Sequence, residues 1–216
     1  MGRDRRENQA ARRVAVVGLT GGIGAGKSTA LSMFAALGAE TLSADETVHG
    51  LYEQPEVVYA LSVRFGFEVL DDSGAVDRGR LAAAVRGEPE RLKWLEGLTH
   101  PLVEEEIERR VAAAPDCSVL VCEVPLLFEA GYERLFDVVV TVEADPEVRR
   151  KRSTHDFGPE QFQEFETLQA SRERRTAGSD FTFINDGPSA ALREFVEDVH
   201  RSVRSSLRQA GCGDGS

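Results

Sequence analysis

Five short apolar runs recur along the chain, each rich enough in valine, isoleucine, leucine or phenylalanine to be a strand buried on both faces. Val14–Leu19 (VAVVGL) is the first, and 39–42, 118–124, 137–142 and 180–184 follow. The segments between them read as helices. In 28–37, Ala30, Leu31, Phe34, Ala35 and Leu37 suit a helix that stops at Gly38. Alternation of strand and helix predicts a three-layer α/β/α domain with a five-stranded, mostly parallel sheet.

Two intervals are too long for simple crossovers. Between the second and third strands, an insertion of about 46–115 carries helical patterns at 56–65 and 80–86, and one or two more helices over 89–114. Insertions of this size in α/β folds form subdomains at the carboxyl edge of the sheet, where ligands bind. A second insertion, about 145–179, is charged and helical, and opens with Asp145-Pro146, a helix cap followed by proline at the first turn. The polar segments 1–12 and 207–216 read as loose tails around one domain at 13–206.

Composition narrows the chemistry. The 216 residues include 37 acidic and 26 basic side chains, a formal charge of −11. Such a surface repels polyanions, so no nucleic-acid partner is expected; a local basic pocket for a small phosphorylated ligand remains compatible with it. No apolar run has the ~20 residues that cross a bilayer, so no membrane partner is expected either. Cys117, Cys122 and Cys212 form no CxxC pair and read as unpaired thiols of a cytoplasmic protein. Oligomeric state leaves no mark in the sequence.

After the first strand, residues 21–28 read GGIGAGKS, a full G-x-x-x-x-G-K-[ST] loop. Glycines let successive backbone N–H groups converge on phosphate oxygens, and the next helix adds its N-terminal potential. Gly22, Ile23, Gly24, Ala25, Gly26, Lys27, Ser28 and Thr29 are therefore the expected nucleotide-binding residues. Lys27 reaches the β- and γ-phosphates, and Ser28 is placed to ligate Mg²⁺. The guanine-reading N-K-x-D tetrapeptide is absent, and two helical insertions on a compact chain suit a small-molecule kinase with an acceptor site and a lid.

The segment Gly18–Thr29, with Ser43-Ala44-Asp45, Val76-Asp77-Arg78, the run LEGLTHP at 95–101 and VPLLFE at 124–129, closely resembles the dephospho-coenzyme A kinase family. The resemblance spans about 13–187, weakening after Val142 to echoes at Gln169 and 181–187. It implies a P-loop nucleotide-kinase-like fold, ATP and Mg²⁺ as cofactors, and transfer of the γ-phosphoryl group to the ribose 3′-hydroxyl of dephospho-CoA. It also implies that Thr20, Asp45, Arg78 and His100 meet this small-molecule acceptor. A kinase of similar fold acting on a nucleoside monophosphate, or a nucleotide-binding module without catalysis, are the rival readings.

Individual residues admit two roles each. Asp45 matches the second aspartate of the family's D-A-D pattern and would orient or deprotonate the attacking hydroxyl. Equally, Ser43 and Glu46 form an S-x-x-E capping box in which Asp45 merely favours the helix start. Ser43 stands where the family has its first aspartate. Glu123, at the end of the third strand, would meet Mg²⁺ or simply sit at an exposed strand end. His100 before Pro101 would contact the acceptor or mark a helix end, and Arg78 suits a diphosphate. The run RRKR at 149–152 offers Arg150 or Arg152 as the catalytic lid arginine, with 149 and 152 on one helical face. Here the chain departs from the family's regular Q-x-x-R, and His155-Asp156-Phe157-Gly158 interrupts the alignment. Arg172, Arg174 and Arg175 are a competing basic set.

Overall fold

The structure is a computed structural model and describes residues 14–154 and 158–212. The tail expected at 1–12, the last four residues and the interruption at 155–157 lie outside the described residues. Two compact units divide the chain: residues up to Ser43 with those from Arg110 onward, and Ala44–Arg109.

The first unit is built on β1 (Ala15–Gly21), β2 (Glu40–Ser43), β3 (Val119–Glu123), β4 (Val138–Glu143) and β5 (Phe181–Ile184). All pair in parallel in the order β2-β3-β1-β4-β5. Register sets Leu19 opposite Glu123, Gly21 opposite Val142 and Glu143 opposite Ile184, so the carboxyl ends of the strands share one edge. The helices in chain order are α1 (Lys27–Ala36), α2 (Ala44–Leu51), α3 (Pro55–Phe65), α4 (Arg78–Val85), α5 (Pro89–Ala113), α6 (Pro146–Ser153), α7 (Pro159–Leu168), α8 (Arg172–Ala177) and α9 (Ser189–Gln209).

Helix α9 carries Leu192, Val196, Val199, Val203 and Leu207 at steps of three and four, a single stripe that is fully buried. The stripe joins Phe34 of α1 and Val17 and Leu19 of β1 in one core, each such side chain contributing roughly 1.5–3 kcal/mol by leaving water. This stripe corrects the expected tail. Residues 207–209 are helical, and Cys212 is buried in the same core and disulfide-bonded to Cys117. Of the three cysteines only Cys122 is a free thiol, and burial pushes it up to about 12. The pair was invisible in the sequence because 95 positions separate its members.

In the second unit, Val57, Leu61, Phe65, Val69 and Leu81 form a separate core, with Trp94 set edge-on to Phe65 at 5.4 Å. Asp77 caps α4 by accepting the Arg80 N–H at 2.9 Å. The expected break at His100-Pro101 does not occur. Helix α5 runs through Pro101, and the residue four positions earlier, whose carbonyl the proline ring crowds, is Gly97, with no side chain of its own. Among the described residues no helix is long and apolar enough to cross a membrane.

Candidate active site

Residues 22–26 turn the chain from β1 into α1, and the turn is possible only with glycine at two points. Gly24 and Gly26 have φ of 71° and 104°. A Cβ on Gly24 would lie 2.4 Å from Ser153 Oγ, and one on Gly26 2.5 Å from Asn185 Nδ2. The loop is thus a close-fitting backbone cradle at a helix N-terminus, the form that accepts phosphate. Lys27 is buried, and its Nζ donates to the carbonyls of Gly21 and Gly22 at 3.2 Å each, which folds the ammonium back over the loop. Ser28 Oγ donates to Glu123 Oε1 at 3.2 Å. A hydroxyl and a carboxylate so close are the hard oxygen donors Mg²⁺ prefers, with phosphate and water filling its remaining positions. Glu123 is buried and bonded to Ser28 rather than standing at an exposed strand end.

Three side chains from distant sequence bond the loop, and a fourth, Arg149, packs beside it. Glu143, fully buried at the end of β4, accepts the Gly22 N–H at 3.2 Å and the Arg175 Nε–H at 2.6 Å. Gln169 accepts the Ile23 N–H at 3.0 Å and donates to the carbonyls of Gly21 and Pro125. Asn185, just after β5, donates to Ala25 O at 2.8 Å. Arg149, buried on α6, donates through Nε to Ala144 O and pairs with Glu166. Its Nη1 makes no hydrogen bond, nor does Glu143 Oε2, and both lie about 3 Å from where a Gly22 Cβ would stand.

The expected residues separate clearly. Arg152 Nη1 reaches Ala25 O at 3.5 Å, whereas Arg150 is exposed and turned to Glu147 at 3.9 Å. So α6 turns 149 and 152 toward the loop, the shared face anticipated from their spacing, and Arg150 to solvent. Of the competing basic set, Arg175 is buried on Glu143, the carboxylate that also receives the Gly22 N–H, and Arg174 donates to Phe128 O at 3.0 Å. Thr20 is fully buried in β1, with its hydroxyl donating to Pro125 O at 3.5 Å. The segment 124–129 ties β3 to residues 169–174, since Glu129 accepts the Ala170 N–H while the Pro125 and Phe128 carbonyls receive Gln169 and Arg174.

In the second unit, Asp45 lies exposed on the first turn of α2. Arg78 Nη1 donates to His49 Nδ1 at 3.0 Å. His100 is half-buried within α5. Sequence reasoning passed over Glu143, Arg149 and Asn185 as site residues. Arg149 had a signal in its place in the basic run, and Asn185 in the family echo at 181–187.

Comparison with known proteins bears on this geometry. The family described as CoaE, dephospho-CoA kinase, matches residues 15–191. A dephospho-CoA kinase of Methylococcus capsulatus is 40% identical over 190 residues, covering 86% of this chain and 95% of that protein. That of Burkholderia thailandensis is 37% identical over 187 residues, covering 85% and 91%. Among solved structures, TT1252 from Thermus thermophilus superposes with a TM-score of 0.76 at 29% identity, covering 89% of this chain and 97% of that one. A dephospho-CoA kinase from Campylobacter jejuni, at 23% identity and a TM-score of 0.57, shares the fold over 88% and 98% of the two chains.

Proposed function

The chain belongs to the dephospho-CoA kinase family, and on that premise we propose that it transfers the γ-phosphoryl group of ATP to the ribose 3′-hydroxyl of dephospho-CoA, giving CoA and ADP. The observation that carries this is the cradle at 22–28 with Lys27 folded over it and Ser28 on Glu123. Backbone N–H groups of the loop hold the phosphates, and Lys27 leaves the Gly21 and Gly22 carbonyls for the β,γ-bridge, where charge develops during transfer. Ser28 and Glu123 would hold Mg²⁺, which when bound neutralises phosphate charge. Asp45 orients the acceptor hydroxyl and takes its proton late in the transfer. Arg152, and the open Nη1 donor of Arg149, supply positive charge beside the loop from α6.

The test is ADP release with dephospho-CoA, with each nucleoside monophosphate and with no acceptor. Turnover with dephospho-CoA alone supports the reading; turnover with a monophosphate alone selects a kinase for another acceptor; binding of ATP without turnover on any acceptor selects a non-catalytic module. The α6 assignment has its own expected result. Arg152→Ala lowers kcat by about tenfold or more with a smaller change in KM for ATP, as for a contact made in the transition state. Arg150→Ala stays within about twofold of wild type, as for an exposed ion pair. Steady-state kinetics in which the two variants behave alike would remove Arg152 from this role.

A further inference from the structure

Arg149 is a buried cation that lies against the phosphate loop at two points and against helix α7 at two more. A Cβ on Gly22 would stand 3.0 Å from its Cδ and 3.0 Å from its Nη1, and one on Gly24 would stand 2.5 Å from its carbonyl oxygen. On α7, Phe162 and Glu166 are one helical turn apart, at i and i+4, and both meet the guanidinium. The Phe162 ring centroid is 5.8 Å from the guanidinium carbon, and the Glu166 carboxylate accepts from Nη2. One planar group thus joins α7 to the loop.

A guanidinium presents its donors along fixed edges. Nε and Nη2 share one edge, which takes Ala144 O at 3.2 Å and the Glu166 carboxylate. Nη1 and Cδ lie on the opposite side, the side turned to Gly22. There Nη1 is buried and makes no hydrogen bond among the described residues. Glu143 Oε2 stands on the same side of Gly22, but its carboxylate is already paired with Arg175 at 2.6 Å. A buried N–H without an acceptor is costly, and a nucleotide phosphate on the loop supplies one. Two anchors on the outer edge fix the guanidinium plane, whereas Ala144 O alone leaves it free to swing about that contact. We infer that Glu166 is a positioning residue for the nucleotide: through Arg149 it holds Nη1 toward the loop, where Nη1 donates to a phosphate oxygen of ATP. The inference rests on the reading of this loop as the ATP site, and not on which acceptor is phosphorylated.

The test is the affinity for ATP with Mg²⁺, measured by titration calorimetry on the full chain in wild type, Glu166→Ala and Glu166→Gln, beside thermal unfolding and steady-state kinetics. The Glu166 side chain is 39% exposed on a helix, so both variants keep the fold. Glu166→Ala is expected to raise the Kd for ATP about fivefold to tenfold, and KM with it, with a smaller change in kcat, as for a contact made equally in ground and transition states. Glu166→Gln keeps an oxygen for Nη2, and its affinity is expected to fall between those of wild type and Glu166→Ala. In Arg149→Met, which retains an apolar stem and removes the fork, adding Glu166→Ala is expected to change Kd by less than about twofold. Unchanged affinity in Glu166→Ala overturns the inference, whether or not thermal stability falls. Tighter binding also overturns it, and makes Glu166 a competitor of phosphate for the guanidinium. An equal loss from Glu166→Ala with and without Arg149 overturns it too, because Glu166 then acts by another route. Should Arg149→Met fail to fold, the two Glu166 variants decide. Wild-type protein that shows the expected shifts in ATP affinity but transfers no phosphate to dephospho-CoA would refute the kinase reading and leave the role of Glu166 standing.

Discussion

Lys27→Ala is expected to lower kcat by at least two to three orders of magnitude, because it removes the preorganised cation from the point where charge builds on the transferring group. The side chain is buried and bonded to two loop carbonyls, so a change in stability accompanies the loss. That change is small, since Gly21 O keeps the Gln169 amide and the Gly22 and Ile23 N–H groups keep Glu143 and Gln169. Thermal unfolding and kcat on one preparation separate the two effects. A folded variant with turnover close to wild type would remove Lys27 from the reaction and the nucleotide from this loop.

Asp45→Asn is expected to lower kcat by roughly two to four orders of magnitude with ATP affinity unchanged. Asparagine keeps the size and some hydrogen bonding of aspartate but neither its charge nor its basicity. Position in the fold sharpens the alternative. Asp45 is the second residue of α2, so a purely structural role reduces to a favourable charge at a helix start, worth about 0.3–1 kcal/mol. On that account the variant would lose a few degrees of thermal stability at most and none of its turnover. ATP titration together with kcat at saturating dephospho-CoA decides between the two, and normal turnover would leave the reaction without its proposed base.

The residues that carry these two predictions were legible because their signals are local. A continuous β-branched run, a glycine loop and a lysine one position into a helix lie within about fifteen residues, and the chemistry of phosphate binding dictates their spacing. Asp45 was legible mainly through the family resemblance of Ser43-Ala44-Asp45, the segment that leads from β2 into α2. What holds the loop in its working shape had no such signal. Glu143 and Gln169 stand more than a hundred positions from the glycines they bind, and a glutamate at a strand end or a glutamine between helices is an unremarkable residue type.

The sequence by itself determined the strand and helix alternation, the phosphate loop, the two insertions and the candidates Lys27, Ser28, Asp45 and Glu123. Each is written in the period or spacing of neighbouring residues, and local sterics and solvation enforce it. Tertiary structure alone decided that Arg149 and Arg152 rather than Arg150 turn to the loop, that Thr20 is buried, that Cys212 is anchored to Cys117, and that Glu143, Gln169 and Asn185 converge on 21–25. The parallel sheet is the reason. By pairing β1 with β4, and β4 with β5, in register, it collects the carboxyl ends of strands far apart in the chain at one edge, and it is there that the loop finds its supports.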